Sequence, residues 1–428
     1  MKKRMLALLL LTVIVMLTLA SCGGAPGEGG ADMMGAAPGS PSKSPSHGDT
    51  DDTSTDGEDK VPEEQPVTIP AGQLTAAEWN DIEHFEDWLK LFEDYQDTES
   101  NGVFFPYVQS TKVWNLPYAY MLPVSVTSGA NPVSGARVEW LGEDGVLFSA
   151  VTDAKGMAYL YGYEAYGEPH SLRISHGAET KTLSFGEVAL ENGAVAVELT
   201  TASDKQNVIE LMFVIDTTGS MSDELSYIKA EVDDVIARVK ESNPGVTVRL
   251  ALMFYRDKGD EYVTRYFDFT EDIEAQRENL AKQKSVGGGD YPEAVHTAIE
   301  EAVAKQWSSG NTTKLLFHIL DAPPHDIAED AATYREAIFS AAEKGIRIIP
   351  VASSGVNKET EYLLRSEALL TGGTYTFLTD DSGIGNSHLE PTVGQYTVEF
   401  LNSMLVRLIC EFYTGEDIPP VDWRQEVK

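Results

Sequence analysis

The chain has 428 residues, of which 68 are acidic and 32 are basic, so its formal net charge is −36. A surface this acidic repels phosphate backbones and anionic headgroups, which argues against binding to nucleic acid or to an anionic membrane surface. The length suffices for two or three domains with cores of their own. Two cysteines occur, Cys22 and Cys410, so a framework of several disulfides is excluded.

The first residues are typical of an export signal. A basic triplet at residues 2–4 precedes an apolar run from Leu6 to Ala20, which is shorter than the roughly 20 residues that a helix needs to cross a bilayer. The run ends on Leu19-Ala20-Ser21-Cys22, which resembles the bacterial lipobox. The resemblance implies that residues 1–21 are removed as a signal peptide and that Cys22 is acylated. We therefore expect a lipid anchor in the cell membrane or outer envelope, with the protein exposed outside the cytoplasm; the alternative is an ordinary secreted protein.

Two segments follow the leader. Residues 22–69 are rich in Gly, Ser, Pro and acidic side chains and have little to bury, which predicts a disordered tether. Residues 70–110 are predicted to be helical, because Thr75-Ala76-Ala77-Glu78 has the spacing of a capping box. Apolar side chains then recur at helical spacing: Trp79, Ile82, Phe85, Trp88, Leu89 and Phe92. We assign this stripe to a core.

Residues 111–203 are predicted to form a small β-sandwich. Apolar side chains alternate with polar ones in short runs separated by Gly, Asn, Asp and Pro turns. Pro132-Val133-Ser134-Gly135-Ala136-Arg137-Val138 and Thr152-Asp153-Ala154-Lys155-Gly156 resemble segments of immunoglobulin-like and carboxypeptidase-regulatory-like modules. The pattern changes around residues 203–207, which predicts that the sandwich and the next domain have separate cores.

Residues 207–413 alternate apolar strands with amphipathic helices and precede a short tail, 414–428. Strands are predicted at 209–215, 315–320, 346–351 and 374–378, a hairpin at 246–269, and helices at 222–240, 291–307 and 398–413. This alternation predicts an α/β domain with a doubly wound, mostly parallel sheet.

A candidate metal site follows the first of these strands. The apolar run Leu211–Ile215 ends on Asp216, and hydroxyls follow at Thr218 and Ser220. Ligands bind at the carboxyl ends of strands in such sheets, and a carboxylate with hydroxyls suits a hard cation, Mg²⁺ first and Ca²⁺ or Mn²⁺ next. The alternative is the N-cap of a helix, where the same residue types are favoured.

Asp216-Thr217-Thr218-Gly219-Ser220 resembles the metal-ion-dependent adhesion site (MIDAS) of the von Willebrand factor A domain, and two further stretches agree with it. Gly287-Gly288-Gly289-Asp290-Tyr291-Pro292-Glu293 stands where that family has its second metal loop, and Asp321 stands at the third. The resemblance covers roughly residues 207–413. It implies a divalent cation held by Asp216, Thr218, Ser220, Asp290 and Asp321, with one position open for an acidic residue of a protein partner and no chemistry done.

The sequence departs from the family pattern at Asp290, where threonine is usual. Asp290 is either a ligand or the N-cap of the next helix, since Pro292 and Glu293 follow it. His325, four residues after Asp321, is expected at the rim. Arg256, Asp257 and Asp260 are interpreted as a solvated charge cluster on a hairpin tip.

These patterns favour a lipid-anchored binding protein of the cell surface. The alternative is a structural or scaffold subunit of an envelope complex that uses the same domain for assembly. We do not expect an enzyme, because the sequence has no Gly-x-Ser-x-Gly elbow, no His-Glu-x-x-His helix and no Gly-x-x-x-x-Gly-Lys loop.

Overall fold

The computed structural model describes residues 70–93, 105–117, 119–162, 167 and 169–426. The predicted signal peptide, Cys22 and the whole of the predicted tether therefore lie outside the described residues. No helix in the described part of the chain combines the length and the apolar character that a bilayer crossing requires.

The described residues contain seventeen strands. They are β1 (Thr75–Trp79), β2 (Tyr120–Ser128), β3 (Asn131–Pro132), β4 (Arg137–Leu141), β5 (Val146–Val151), β6 (Met157–Gly162), β7 (Ser171–His176), β8 (Glu179–Ser184), β9 (Leu190–Glu191), β10 (Ala194–Glu198), β11 (Val208–Asp216), β12 (Thr247–Tyr255), β13 (Thr264–Thr270), β14 (Thr313–Leu320), β15 (Ile346–Ala352), β16 (Tyr375–Leu378) and β17 (Val398–Phe400).

Nine α-helices accompany these strands in the described part. They are α1 (Phe85–Glu93), α2 (Phe105–Trp114), α3 (Leu225–Ser242), α4 (Ile273–Ala281), α5 (Val295–Ala304), α6 (Ala328–Lys344), α7 (Lys358–Thr371), α8 (Leu401–Thr414) and α9 (Trp423–Glu426). Short 3₁₀ turns occupy Gly219–Asp223 and Asp380–Ser382.

The larger sheet has the strand order β13-β12-β11-β14-β15-β16-β1-β17. Strands β12, β11, β14, β15 and β16 run parallel, while β13 and β1 pair antiparallel with their neighbours. Helices α5, α6 and α7 cover one face and α3 and α8 cover the other. Strand β11 is buried along almost its whole length because both of its faces are covered, as its uniformly apolar sequence predicts. The predicted fold class, a mostly parallel α/β sheet, is confirmed.

Two smaller sheets precede this domain, in the orders β3-β2-β10-β9, with β6 also paired to β2, and β5-β4-β7-β8. Their strands pair antiparallel except for β2 and β10. The predicted β-rich region is therefore present.

The prediction of separate cores is wrong. One hydrophobic cluster joins side chains of the small sheets, such as Val138 and Leu160, to side chains of α6 and α7, and Phe148 of β5 packs edge-on against Phe339 of α6 at 5.4 Å. Residues 69–428 form one compact unit. The change of periodicity marks a change of secondary structure, but it carries no information about which surfaces pack together.

The prediction of a helix beginning near Leu74 is also wrong. Thr75–Trp79 is a strand that pairs with β16 on one side and β17 on the other, so the sheet extends beyond the predicted 207–413. The buried Glu231 carboxylate of α3 accepts hydrogen bonds from the backbone N–H groups of residues 72, 73 and 74 at 2.8–3.1 Å. Tertiary pairing thus overrides the local capping-box pattern, and helix begins at Phe85.

Candidate metal site at the carboxyl edge of the sheet

The end of β11 brings one carboxylate and two hydroxyls together. Asp216 is fully buried, and its Oδ1 accepts from the backbone N and the Oγ1 of Thr218 at 2.8 and 2.7 Å. The Thr218 and Ser220 hydroxyls are 3.0 Å apart. Thr218 stands at the N-cap position of the 3₁₀ turn but makes no side-chain cap hydrogen bond. Its hydroxyl donates a hydrogen bond to Asp216 instead, so the N-cap alternative does not explain this arrangement.

The end of β14 adds a second carboxylate. Asp321 is 3% exposed. Burial, followed by repulsion from Asp321, raises the pKa of Asp216 to about 7. Burial likewise raises the pKa of Asp321 to about 6. Two buried carboxylates that repel each other destabilise a fold unless positive charge or protons offset them.

The donor atoms fit a hard cation. Asp216 Oδ2 and Asp321 Oδ1 are buried, and neither has a hydrogen-bond partner in the described part of the chain. Free carboxylate oxygens beside two hydroxyls form the donor set that Mg²⁺, Ca²⁺ or Mn²⁺ takes. Within the described ranges, no three side chains of His, Cys, Asp or Glu type come close enough to hold a metal by themselves.

The glycine-rich loop lies directly against this turn. The backbone N of Gly219 donates to the Gly287 carbonyl at 3.0 Å, and the N of Val286 donates to the Thr217 carbonyl at 3.0 Å. Gly288 has φ +70°, and a Cβ there would lie 2.7 Å from Glu293 Oε1. Glycine is strongly favoured at residue 288, because its φ lies in the left-handed region and a Cβ would also come within 3.2 Å of Thr218 Cβ.

Glu293, which sequence reasoning treated as a helix-start residue, occupies the interior position expected for Asp290. Asp290 is exposed, and α5 begins only at Val295 with Ala294 as its N-cap, so the helix N-cap alternative for Asp290 is wrong. Glu293 is 3% exposed, and its Oε2 has no partner in the described part of the chain. Burial and then repulsion from Asp216 raise its pKa to about 9.

No local sequence pattern shows which of Asp290 and Glu293 is buried, because both lie in the same loop. The backbone N of Glu293 donates to the Pro323 carbonyl at 2.9 Å, which turns this residue toward the loop after Asp321. That contact joins two strand ends far apart in the sequence. The assignment of Asp290 as a ligand stays a prediction.

The interpretation of the hairpin tip as a solvated cluster is wrong. Arg256 and Asp257 are buried, and Arg256 donates to the carbonyl of Thr217 at 3.2 Å. Asp260 Oδ2 accepts from the backbone N of Gly288 at 2.9 Å. The hairpin tip therefore packs against the glycine-rich loop and holds it in place through these hydrogen bonds. His325 Nε2 lies 2.9 Å from Asp257 Oδ1, which places His325 beside this support.

Residues 210–383 match the von Willebrand factor A domain family. The chain is 31% identical over 124 residues to an ariadne-like RING finger protein of Acanthamoeba polyphaga mimivirus, a match that covers 28% of this chain and 12% of that protein. It is 24% identical over 179 residues to an alpha-protein kinase of Dictyostelium discoideum, a match that covers 41% of this chain and 28% of that protein. This chain therefore spans less than a third of the length of either relative.

Two solved structures are similar to part of the chain. The conserved hypothetical protein BatB from Bacteroides thetaiotaomicron has a TM-score of 0.30 at 14% identity, with 40% of this chain and 89% of that chain covered. The pilus adhesin SpaC from Lactobacillus rhamnosus GG, in its open conformation, has a TM-score of 0.33 at 11% identity. The match covers 42% of this chain and 29% of that chain. Likenesses this distant carry no argument about function.

Proposed function

We propose that this chain, in which residues 210–383 form a von Willebrand factor A domain, binds a protein partner at the carboxyl edge of its larger sheet through a divalent cation. The observation that carries the proposal is the pair of buried carboxylates, Asp216 and Asp321, with free oxygens and two hydroxyls beside them. Such an arrangement costs folding free energy and is retained where a site uses it.

Asp216, Thr218, Ser220 and Asp321 would hold the cation, with Glu293 directly beside them and Asp290 as a further predicted ligand. A bound cation supplies positive charge that offsets the carboxylates and an open position that an acidic side chain of the partner can fill. The chain's own residues set the geometry: hydrogen bonds from Thr218 hold Asp216 in place, and the Ser220 hydroxyl lies 3.0 Å from that of Thr218. We assign no catalytic residue.

The surface around the site supports a protein partner. The two most exposed large apolar side chains in the described part of the chain, Val286 at 55% and Ile327 at 53%, lie in the loops beside Thr217 and after Asp321. Tyr291, 42% exposed, is anchored by its hydroxyl, which donates to the Gly355 carbonyl at 2.9 Å. Exposed apolar and aromatic side chains around a polar centre are typical of protein interfaces.

Acylation at Cys22 would present this surface outside the cytoplasm at the cell membrane or outer envelope. The alternative role, a scaffold subunit of an envelope complex, uses the same surface for permanent assembly. Recovering partners from membranes with and without EDTA separates the two. A partner lost on chelation supports cation-mediated binding, and a partner kept in EDTA supports the scaffold.

Calorimetric titration of Mg²⁺, Mn²⁺ and Ca²⁺ into the full chain tests the cation directly. We expect one site, with a cation at 100 times its dissociation constant adding about 2.7 kcal/mol to the free energy of unfolding. Asp216→Asn should abolish binding and also raise the melting temperature of the metal-free protein, because it removes the repulsion with Asp321. Asp326→Asn is the matched control, an exposed acid on the same edge. A wild type that binds none of the three ions at millimolar concentration refutes the proposal.

A further inference from the structure

A second cavity lies at the opposite edge of the sheet, where the amino ends of β14 and β15 meet the β-rich region. It has a volume of about 540 Å³. The turns at Gly135, Asp153 and Gly177 form one wall, and the segments 305–314 and 343–347 form the other. The volume is within the range of small-molecule sites, roughly 300–1,000 Å³.

The walls of this cavity are basic although the chain is strongly acidic. Six basic side chains line it, against three acidic ones: Arg137, Lys205, Lys305, Lys314, Lys344 and Arg347 against Asp153, Asp204 and Glu343. In the whole chain the acids outnumber the bases by 68 to 32. A reversal of charge sign confined to one concave surface raises the local concentration of anions.

Two of the six bases have carboxylate partners. Arg137 pairs with Glu343 at 2.7 Å, and Lys305 pairs with Glu301 at 3.0 Å. For the other four, no carboxylate of the described residues comes within 4.0 Å; these are Lys205, Lys314, Lys344 and Arg347. They are called the unpaired cations below.

The unpaired cations donate to backbone carbonyls. Lys344 Nζ binds the carbonyl of Val303 near the end of α5 at 2.9 Å, and Arg347 binds that of Thr371, which ends α7, at 2.7 Å. Lys205 binds that of Tyr413 near the end of α8. These contacts give hydrogen-bond donors to backbone carbonyls at the C-terminal ends of helices, which have no partner within the helix. They use one or two donors of each side chain, whereas an ammonium has three and a guanidinium five.

Helix capping does not account for Lys314. This side chain belongs to β14, is 9% exposed, and donates to the Gly310 carbonyl at 3.2 Å. Burial lowers its pKa, the Glu210 carboxylate partly offsets this, and the positive charge of Arg347, itself 7% exposed, lowers the pKa further. The half-buried carboxyl of Asp153 accepts two backbone hydrogen bonds at 2.8 Å and forms no close ion pair with either base. Glu210 and Asp153 attract Lys314 and Arg347 from a distance, but no carboxylate of the described residues lies within 4.0 Å of either base, so an external anion could still pair with them directly.

We propose that this cavity binds a small anion with at least two negative charges, either a phosphate compound or a di- or tricarboxylate. Lys314 and Arg347 would contact it from the A domain, and Lys205 from the segment that joins this domain to the β-rich region. Because both regions form the walls, a bound anion would also strengthen their contact. This inference does not depend on the metal site.

The test is titration of pyrophosphate, inorganic phosphate and citrate into the full chain. Divalent cations are removed beforehand on a chelating resin, because EDTA is itself a polycarboxylate that could occupy the cavity, and NaCl holds the ionic strength constant. We expect one-to-one binding of at least one of these anions. Comparing the affinities for pyrophosphate and citrate distinguishes a phosphate ligand from a carboxylate ligand.

Lys314→Met should weaken the binding at least tenfold and should fold, since it replaces a buried charge by an apolar side chain of similar length. Lys205→Gln is a second variant at the cavity, and Lys282→Gln, exposed on the far side at the end of α4, is the matched control. Asp216→Asn should bind the anion like the wild type. The inference is overturned if no anion binds at low millimolar concentration, or if both cavity variants bind as tightly as Lys282→Gln.

Discussion

Removing every residue before Lys205 should prevent the A domain from folding as a stable unit. The fragment 205–428 lacks β1, which lies between β16 and β17 and pairs with both, so its sheet would be interrupted. It also lacks Asp81, whose carboxylate forms two hydrogen bonds with the buried guanidinium of Arg365 at 2.8 and 2.6 Å. Arg365 would keep only the longer contact to Glu361 at 3.8 Å, and a buried charge that loses its close partner is strongly destabilising.

The magnitude follows from the side chains that the truncation removes. Trp88 stacks on Tyr362 of α7 at 6.1 Å, and Trp114 packs edge-on against Tyr334 of α6 at 5.6 Å. Both tryptophans are fully buried, and Trp79 is nearly so. Losing one such side chain costs about 3–5 kcal/mol. Three losses approach or exceed the total stability of a typical domain, about 5–15 kcal/mol.

Calorimetry and urea titration of the fragments 69–428 and 205–428 check this reasoning. The longer fragment should unfold in a single cooperative transition, and the shorter one should show none. Within 69–428, Trp114→Ala should lose about 3–5 kcal/mol, whereas the neighbouring and more exposed Val113→Ala should change stability by about 0.5 kcal/mol or less. The reasoning fails if 205–428 melts cooperatively near the temperature of 69–428, or if the two substitutions have equal effects.

Three further predictions concern single residues. Glu293→Gln should weaken Mg²⁺ binding roughly tenfold to a hundredfold, as the loss of a group next to metal ligands does; a larger effect of Asp290→Asn in the same titration would return the role to Asp290. Hydrogen bonds from Thr200 and Thr201 lower the pKa of Glu179 to about 2, below its ordinary 4.5, so its contribution to stability is present above pH 4.5 and is lost as the pH falls toward 2. Urea midpoints at pH 6 and pH 3 should therefore differ less for Glu179→Gln than for the wild type, and an identical difference would contradict this. Cys22→Ala should release the protein from membranes or leave an unprocessed precursor; a wild type with no acyl mass would contradict the lipid anchor.

The sequence by itself determined the features whose cause is local. The uniformly apolar run of β11 predicts a strand buried on both faces, and Asp216, Thr218 and Ser220 follow at its end because strand, turn and helix alternate there. The end of β14 places Asp321 at the same edge by the same logic. Parallel strands bring their carboxyl ends together whatever the details of packing. The candidate site could therefore be located from the sequence.

Only the tertiary structure decided which residues lie beside that candidate site and which strands complete the sheet. Thr75–Trp79 carries a helix-start pattern, yet it is a strand because β16 and β17, some three hundred residues later, offer free edges on both sides. Glu293 rather than Asp290 is buried because its backbone pairs with the loop after Asp321. Arg256 and Asp257 are buried because the glycine-rich loop lies over their hairpin. Each outcome depends on contacts between distant segments, and these contacts determine the burial of a polar or ambiguous residue more strongly than its own neighbours in the chain do.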